Sequence, residues 1–164
     1  MGATFKAAVR QLAQLAGADV LKVLEDEHVR WSVYEASVSD PARRQVLEDA
    51  IRGETNGPLA SAVVSRVLEV VQDRDRSTWV ELLPEGRLRA FGKVRALELR
   101  IYEELASGKP VEVNQAGVEN WSQWLQKRLA ERVENTQVLE GLAETGATKG
   151  IRRLARERLN ARGS

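Results

Sequence analysis

The residues with the clearest catalytic potential lie around a lone histidine. His28 is the only histidine in the chain, and Glu25 precedes it by three positions, so both side chains would share one face of a helix. Di-iron helical bundles bind metal with two such Glu-x-x-His pairs and two further glutamates. A second pair cannot form without a second histidine. We therefore expect no metal site and place His28 on a solvated surface.

Other catalytic signatures are missing from the sequence. There is no cysteine, which excludes thiolate catalysis, disulfides and zinc–cysteine sites. The segment 146–150 lacks the glycine spacing and the preceding strand of a phosphate-binding loop, and no serine lies in a nucleophile-elbow context. We expect a protein that is not an enzyme and uses no cofactor, while catalysis by a carboxylate or a lysine stays open.

Charge and hydropathy restrict the possible partners. The chain has 25 basic and 24 acidic residues, so any binding to nucleic acid must come from a local patch. No apolar run approaches the ~20 residues of a membrane-spanning helix, and the first residues lack the apolar core of a signal peptide. The sequence predicts a cytoplasmic protein that binds no membrane.

The last predicted helix carries the strongest local charge. Its basic residues fall on one side of a helical wheel, opposite Ile151, Leu154 and Leu159. This side could bind the phosphate backbone of DNA or an acidic protein groove, and a solvated terminal helix is the alternative. As solvent-facing side chains, these cations would contribute little to stability. They are Lys149, Arg152, Arg153 and Arg156.

Three weaker candidates lie elsewhere in the chain. A long predicted helix carries the basic residues Arg89, Lys93 and Arg100, which could bind nucleic acid or form ion pairs with glutamates elsewhere. They flank an apolar face that comprises Ala90, Val94, Leu97, Ile101 and Leu105. Lys22 is the basic residue on the outer face of the second predicted helix. Trp124 lies off the apolar face of its helix, so we expect it to be half exposed and able to anchor an interface.

The elements that position these residues are predicted to be helices. Capping residues and apolar spacing indicate helices at about 5–16, 20 to beyond 34, 41–52, 59–72, 87–107, 116–133, 136–144 and 149–161. Residues 73–77 are predicted to form a loop. Residues 79–83 fit either a strand, which could pair with 110–114 as a short ribbon, or a helical turn, because Thr78 and Glu81 have capping-box spacing. The predicted fold class is all-α or nearly so, a bundle of about eight helices with at most this two-stranded ribbon.

Residues 9–24 read VRQLAQLAGADVLKVL and resemble the helix-turn-helix of LacI-type repressors. Ala13 would let two helices approach closely, Gly17 would form the turn, and Asp19 would cap the second helix. The resemblance implies that this second helix enters the major groove of DNA. Its outer face carries apolar and acidic residues with Lys22 as the only base, however, and an ordinary helical hairpin is the alternative.

Three regions in one compact unit are predicted: an N-terminal helical region at 1–56, a central helical hairpin at 57–109, and a C-terminal region at 110–164. Their layout is similar to that of phage terminase small subunits. The sequence therefore favours an oligomeric DNA-associated binding protein, and a helical adaptor or assembly protein that binds another protein is the alternative. The central hairpin should form the core, with its apolar residues Val63, Val67, Leu68, Leu97, Ile101 and Leu105 buried.

Overall fold

The computed structural model describes residues 2–107 and 115–162, and every regular element within those ranges is a helix. The prediction of an all-α protein is therefore confirmed. The described ranges contain eleven helical segments rather than about eight. They are α1 (Ala3–Ala16), α2 (Val20–Glu25), α3 (Glu27–Val38), α4 (Pro41–Gly53), α5 (Gly57–Leu68), α6 (Asp73–Glu81), α7 (Arg87–Ala106), α8 (Gln115–Val118), α9 (Gln123–Arg132), α10 (Thr136–Thr145) and α11 (Lys149–Arg162).

Side-chain caps define where most of these helices begin. Asp19 and Asp40 each accept hydrogen bonds from two backbone N–H groups of the following turn. Thr148 accepts one from the N–H of Ile151. Asp26 caps α3 in the same way, which ends α2 after six residues. The prediction of one helix from residue 20 to beyond residue 34 is wrong, because the Asp26 carboxylate satisfies the first N–H groups of a new helix.

Helix α6 replaces the predicted loop at 73–77. Asp73 and Asp75 lie in its first turn, where negative charge stabilises the positive end of the helix dipole. Arg76 is buried, and its Nε donates to the carbonyl oxygen of Leu68 at 3.0 Å. The helix ends at Glu81, so residues 79–83 form no strand and the predicted ribbon is wrong for this half. Residues 110–114 lie outside the described residues.

The chain divides into two compact units, Met1–Ala96 and Leu97–Ser164, with the boundary inside α7. In the first unit α1 packs closely against α4, since a Cβ added to Gly53 would lie 2.7 Å from the Cβ of Phe5. The core of this unit is built from apolar side chains of α1 and α3 to α6. They include Phe5, Val9, Leu12, Tyr34, Leu47, Ile51, Val63, Val67, Leu68, Trp79 and Val80.

The second unit has its own core, organised around a buried amide. The Nε2 of Gln126 donates to the carbonyl oxygens of Val118 at 3.1 Å and Trp121 at 2.9 Å, and its Oε1 accepts from the N–H of Ala147 at 2.8 Å. One side chain thereby holds α8, α9 and the segment before α11 together. The apolar residues around it are Leu105, Val118, Leu125, Leu129, Ala130, Val133, Val138, Leu139, Leu142, Ala143, Ile151 and Ala155.

The predicted burial of the central hairpin is partly confirmed. Val63, Val67, Leu68 and Leu105 are buried, whereas Ile101 is half-buried and Leu97 is exposed. The predicted burial of Leu97 is wrong. In α7 it is Leu99 that is buried, and residues two positions apart on a helix point in different directions. None of the helices in the described ranges combines the length and apolar character needed to cross a bilayer.

A pair of truncations in α7 tests this assignment. Leu99 is 2% exposed and Leu97 is 47% exposed. We expect Leu99→Ala to lower the free energy of unfolding by about 2–5 kcal/mol, because it leaves a cavity, and Leu97→Ala to lower it by less than about 1 kcal/mol. Urea denaturation measures both. Equal losses for the two variants would contradict the orientation of α7.

Candidate functional site

The basic side of α11 lies against the ends of two other helices. Arg152 donates from Nη1 to the carbonyl oxygen of Gly146, and Arg156 donates from Nη2 to that of Ala143 at 2.9 Å. Both oxygens belong to the C-terminal end of α10. The last four carbonyl groups of a helix have no partner within it and lie at the negative end of its dipole. These two arginines therefore act as C-terminal caps of α10.

The second half of α11 does the same for α9 through Arg158, which donates from Nη1 to the carbonyl oxygen of Ala130 at 3.2 Å. Arg162 donates to the carbonyl oxygen of Glu134, which follows the C-cap residue of α9. Of the residues of α11 predicted to bind nucleic acid or an acidic partner, Lys149, Arg153 and Arg156 are exposed and Arg152 is half-buried, and Arg153 forms an ion pair with Glu157. Most of the cationic charge of α11 thus has a partner within the protein, which the helical wheel does not predict.

The segment resembling a helix-turn-helix forms a tight hairpin. Gly17 ends α1 in the left-handed conformation at φ 66°, and the N–H of Ala18 donates to the carbonyl oxygen of Ala13 at 2.8 Å. Val23 is the buried residue of α2. The exposed side of α2 carries Leu21, Lys22 and Glu25, and the acids Asp26 and Glu27 follow directly. This surface offers a single cation for phosphate contacts, and acidic groups near phosphate are unfavourable.

A buried ionic network lies in the same unit. The Nε of Arg30 is 2.9 Å from Oε2 of Glu54, and their side chains are 4% and 0% exposed. The Nη1 of Arg30 also donates to the carbonyl oxygens of Val23 and Leu24, each at 3.2 Å, at the end of α2. Burial, reinforced by the negative charge of Glu54 and by a hydrogen bond to it, raises the pKa of Tyr34 well above its ordinary value. Because every one of these groups bonds within the fold, we assign the network a structural role.

Trp124 lies beneath an arginine. The guanidinium carbon of Arg128 is 5.0 Å from the centroid of the Trp124 ring and 5.1 Å from that of Tyr102. This geometry is a cation–π contact with both rings. Trp124 is half-buried and packs against the core of the second unit. Its predicted role in an interface stays a prediction.

The basic residues of α7 divide into two groups. Arg89 donates from Nε to the carbonyl oxygen of Leu83 at 2.8 Å and from Nη2 to that of Glu81 at 3.1 Å, so it caps the end of α6. Lys93 and Arg100 are exposed. Of the three predicted basic residues on this helix, Lys93 and Arg100 therefore remain accessible to a partner.

The first half of α7 also exposes apolar side chains. Phe91 is 48% and Val94 is 52% exposed, and Ala90 is exposed beside them. We call these three residues the α7 stripe, since positions 90, 91 and 94 share one helix face. Ala90 and Val94 belong to the apolar face predicted for this helix, and both are exposed. The opposite side of α7 faces the core instead, because Gly92 allows an approach that would place a Cβ 3.1 Å from Cδ1 of Leu83.

Cations surround the α7 stripe. Arg87 lies one turn before Phe91 and is exposed, and Lys93 lies one turn after Ala90. The guanidinium carbon of Arg95 is 5.4 Å from the centroid of the Phe91 ring. A cleft of about 300 Å³ runs beside the stripe, lined by Glu85, Gly86, Arg89, Ala90 and Lys93.

A second cleft and His28 are weaker candidates for a functional site. A cleft of about 350 Å³ in the first unit mixes charges of both signs around a largely buried Trp79, and it is lined by Arg44, Gln45, Glu48, Val71, Asp75, Thr78 and Trp79. His28 is exposed at the start of α3. In the described ranges, no three histidine or acidic side chains come close enough together to hold a metal ion.

Comparison with known protein families, with curated proteins and with solved structures finds no significant match. The resemblances to LacI-type repressors and to terminase small subunits therefore stay expectations. Among the described residues, the α7 stripe joins neighbouring exposed apolar side chains of one helix to accessible cations, and Leu21 beside Lys22 on α2 is another exposed apolar residue next to a cation. The sequence signal for this surface is that α7 has apolar residues on two sides, with Leu88 and Leu99 on the side opposite the stripe.

Proposed function

We propose that this chain is a non-enzymatic helical adaptor that binds another protein through the α7 stripe. The observation that carries the proposal is the exposure of Phe91 and Val94, each about half accessible, next to one another on a well-formed helix. Neighbouring exposed apolar side chains mark interaction surfaces, and aromatic residues and arginine are enriched at the centres of interfaces. Burial of both side chains against a partner would remove this apolar area from water.

DNA association is the second candidate. The observation that favours it is the run of residues 87–96, which contains four cations and no acid. In the second unit, the exposed Lys149 and Arg153 of α11 form a separate pair of cations for phosphate contacts. We rank it second because Arg89, Arg152 and Arg156 already donate to backbone carbonyl groups, and because α2 presents acids where a helix-turn-helix reads bases.

A site-specific cross-link distinguishes the two functions. A photoreactive phenylalanine analogue at position 91 of the full chain, irradiated in the native host, should give an adduct that protease removes and nuclease does not. The ring at this position is accessible and lies at the centre of the proposed interface. The readout is the mobility of the tagged chain on a denaturing gel.

Two further positions make the experiment selective. Val70, which is exposed to a similar degree outside the α7 stripe, is the matched control and should give no defined adduct. Leu21 on α2 is the probe for DNA, because the helix-turn-helix resemblance places that helix in the major groove. Nuclease-sensitive adducts at positions 21 and 91 would favour DNA association, and no adduct at position 91 above the Val70 background would end the adaptor proposal.

A further inference from the structure

We infer that the partner of the α7 stripe is an amphipathic helix whose apolar face is bordered by acidic residues. This inference rests on the proposed function and specifies the chemistry of the partner. It follows from the charges that surround the stripe and from the shape of the surface, both of which lie within the first unit.

The charge around the stripe is only partly compensated within the protein. Residues 87–96 contain four cations and no acid. Arg89 is committed to the end of α6 and lies 3.5 Å from Oε1 of Glu85, and Arg95 lies over the ring of Phe91. In the part of the chain that the structure describes, Arg87 and Lys93 have no acidic partner. Two cations one turn from the apolar residues would complement acidic residues at the edges of a bound helix.

A second copy of this chain is a less favourable partner for the α7 stripe than an acidic helix. Pairing the segment 87–96 with itself about a two-fold axis would place cation against cation, since the segment contains no acid. Like charges facing each other across an interface are unfavourable, and their repulsion selects against the wrong partner. An acidic partner removes this repulsion.

The shape of the surface favours a helix. Ala90 is a small residue beside the larger Phe91 and Val94, so the surface of the stripe has a shallow depression at Ala90. Helices pack by placing the ridge of one into the groove of another, with anchors recurring every three or four residues. The adjoining cleft of about 300 Å³ next to Ala90 and Lys93 can receive a side chain from the partner.

Two synthetic peptides test the inference against the full chain. Both are helical with the same leucine face, and the positions that border this face are glutamate in one and lysine in the other. Fluorescence anisotropy at low ionic strength should show that the glutamate peptide binds at least about tenfold more tightly, because attraction replaces repulsion. Phe91→Ser should abolish this binding, and circular dichroism should show that the variant stays folded, since the ring is half exposed.

Charge reversal provides the control. Arg87→Glu combined with Lys93→Glu should reverse the preference between the two peptides. Lys6→Glu combined with Arg10→Glu changes the net charge equally at exposed positions of α1 and should leave the preference unchanged. Equal binding of both peptides, or no binding of either, would overturn the inference.

Other occupants give distinct results. Self-association that Phe91→Ser abolishes would assign the stripe to a second copy, and binding to duplex DNA or to phosphatidylserine vesicles that depends on Arg87 and Lys93 would assign it to phosphates. Each of these results would overturn the inference that the partner is an acidic helix. A protein adduct at position 91 without any charge preference would leave the adaptor function in place and remove the acidic partner alone.

Discussion

Replacement of Glu54 with alanine is expected to lower the free energy of unfolding by about 3–5 kcal/mol. The Glu54 side chain is fully buried and lies 2.9 Å from the Nε of a nearly buried Arg30. Its removal leaves a positive charge in the interior without its ionic partner, and it also removes the acceptor of the Tyr34 hydroxyl. Urea denaturation followed by far-ultraviolet circular dichroism measures the loss.

Glu48 is the matched control for Glu54. It lies on α4, which Glu54 follows directly, and it pairs with Arg52 at 2.8 Å, but both of these side chains are accessible to solvent. Glu48→Ala should therefore cost less than about 0.5 kcal/mol. Replacing Arg30 and Glu54 together with methionine and leucine should recover part of the loss, because no unpaired charge remains. A cost of less than about 1 kcal/mol for Glu54→Ala would show that the network contributes little.

The double variant Arg152→Gln/Arg156→Gln is expected to cost about 2–4 kcal/mol, the sum of two charged hydrogen bonds to the end of α10, discounted for their partial exposure. Glutamine is too short to reach the same carbonyl oxygens from α11 and carries no charge. This result differs from the small effect that solvent-facing arginines would give. Thermal and urea denaturation of the full chain both report the change.

Arg153 supplies the control within the same helix. Its side chain is 79% exposed and its nearest acid is Glu157 at 3.6 Å. Arg153→Gln removes the same type of charge and should cost less than about 0.5 kcal/mol. If the double variant were as stable as Arg153→Gln, the arginines of α11 would not be caps, and their charge would again be available for phosphate.

Local features of this fold can be predicted from sequence because their causes lie within a few residues. Asp19, Asp40 and Thr148 cap helices whose first N–H groups are two or three positions away. Asp26 follows the same rule but lies in the acidic run 25–27, which is also typical of a solvated surface. The start of α3 was therefore missed although its signal is present.

Features that depend on which face of a helix is buried cannot be predicted in this way. Helix α7 has apolar residues on two sides, and periodicity alone does not decide between them. Gly92 determines which side of α7 is buried, because the absence of a side chain there lets α7 pack against Val80 and Leu83. This orientation of α7 leaves Phe91 and Val94 exposed, and the candidate site therefore depends on it.

Partners distant in sequence leave no local pattern. Arg30 and Glu54 are 24 positions apart, and Arg158 is 28 positions from the carbonyl group that it caps. A helical wheel places the arginines of α11 on one side, but it does not reveal that the ends of α9 and α10 lie beneath them. Charge alone favours nucleic acid as the partner of that side. The packing shows that carbonyl groups of the protein accept hydrogen bonds from Arg152, Arg156 and Arg158.

The three capping arginines of α11, Arg152, Arg156 and Arg158, also determine how the second unit opens. When α11 separates from its neighbours, carbonyl groups at the ends of α9 and α10 lose their donors at the same moment, so both helices fray at their C-terminal ends. Opening of one helix therefore raises the free energy of the other two. The three helices form a single cooperative unit, whose backbone amides exchange with solvent through one shared opening rather than helix by helix.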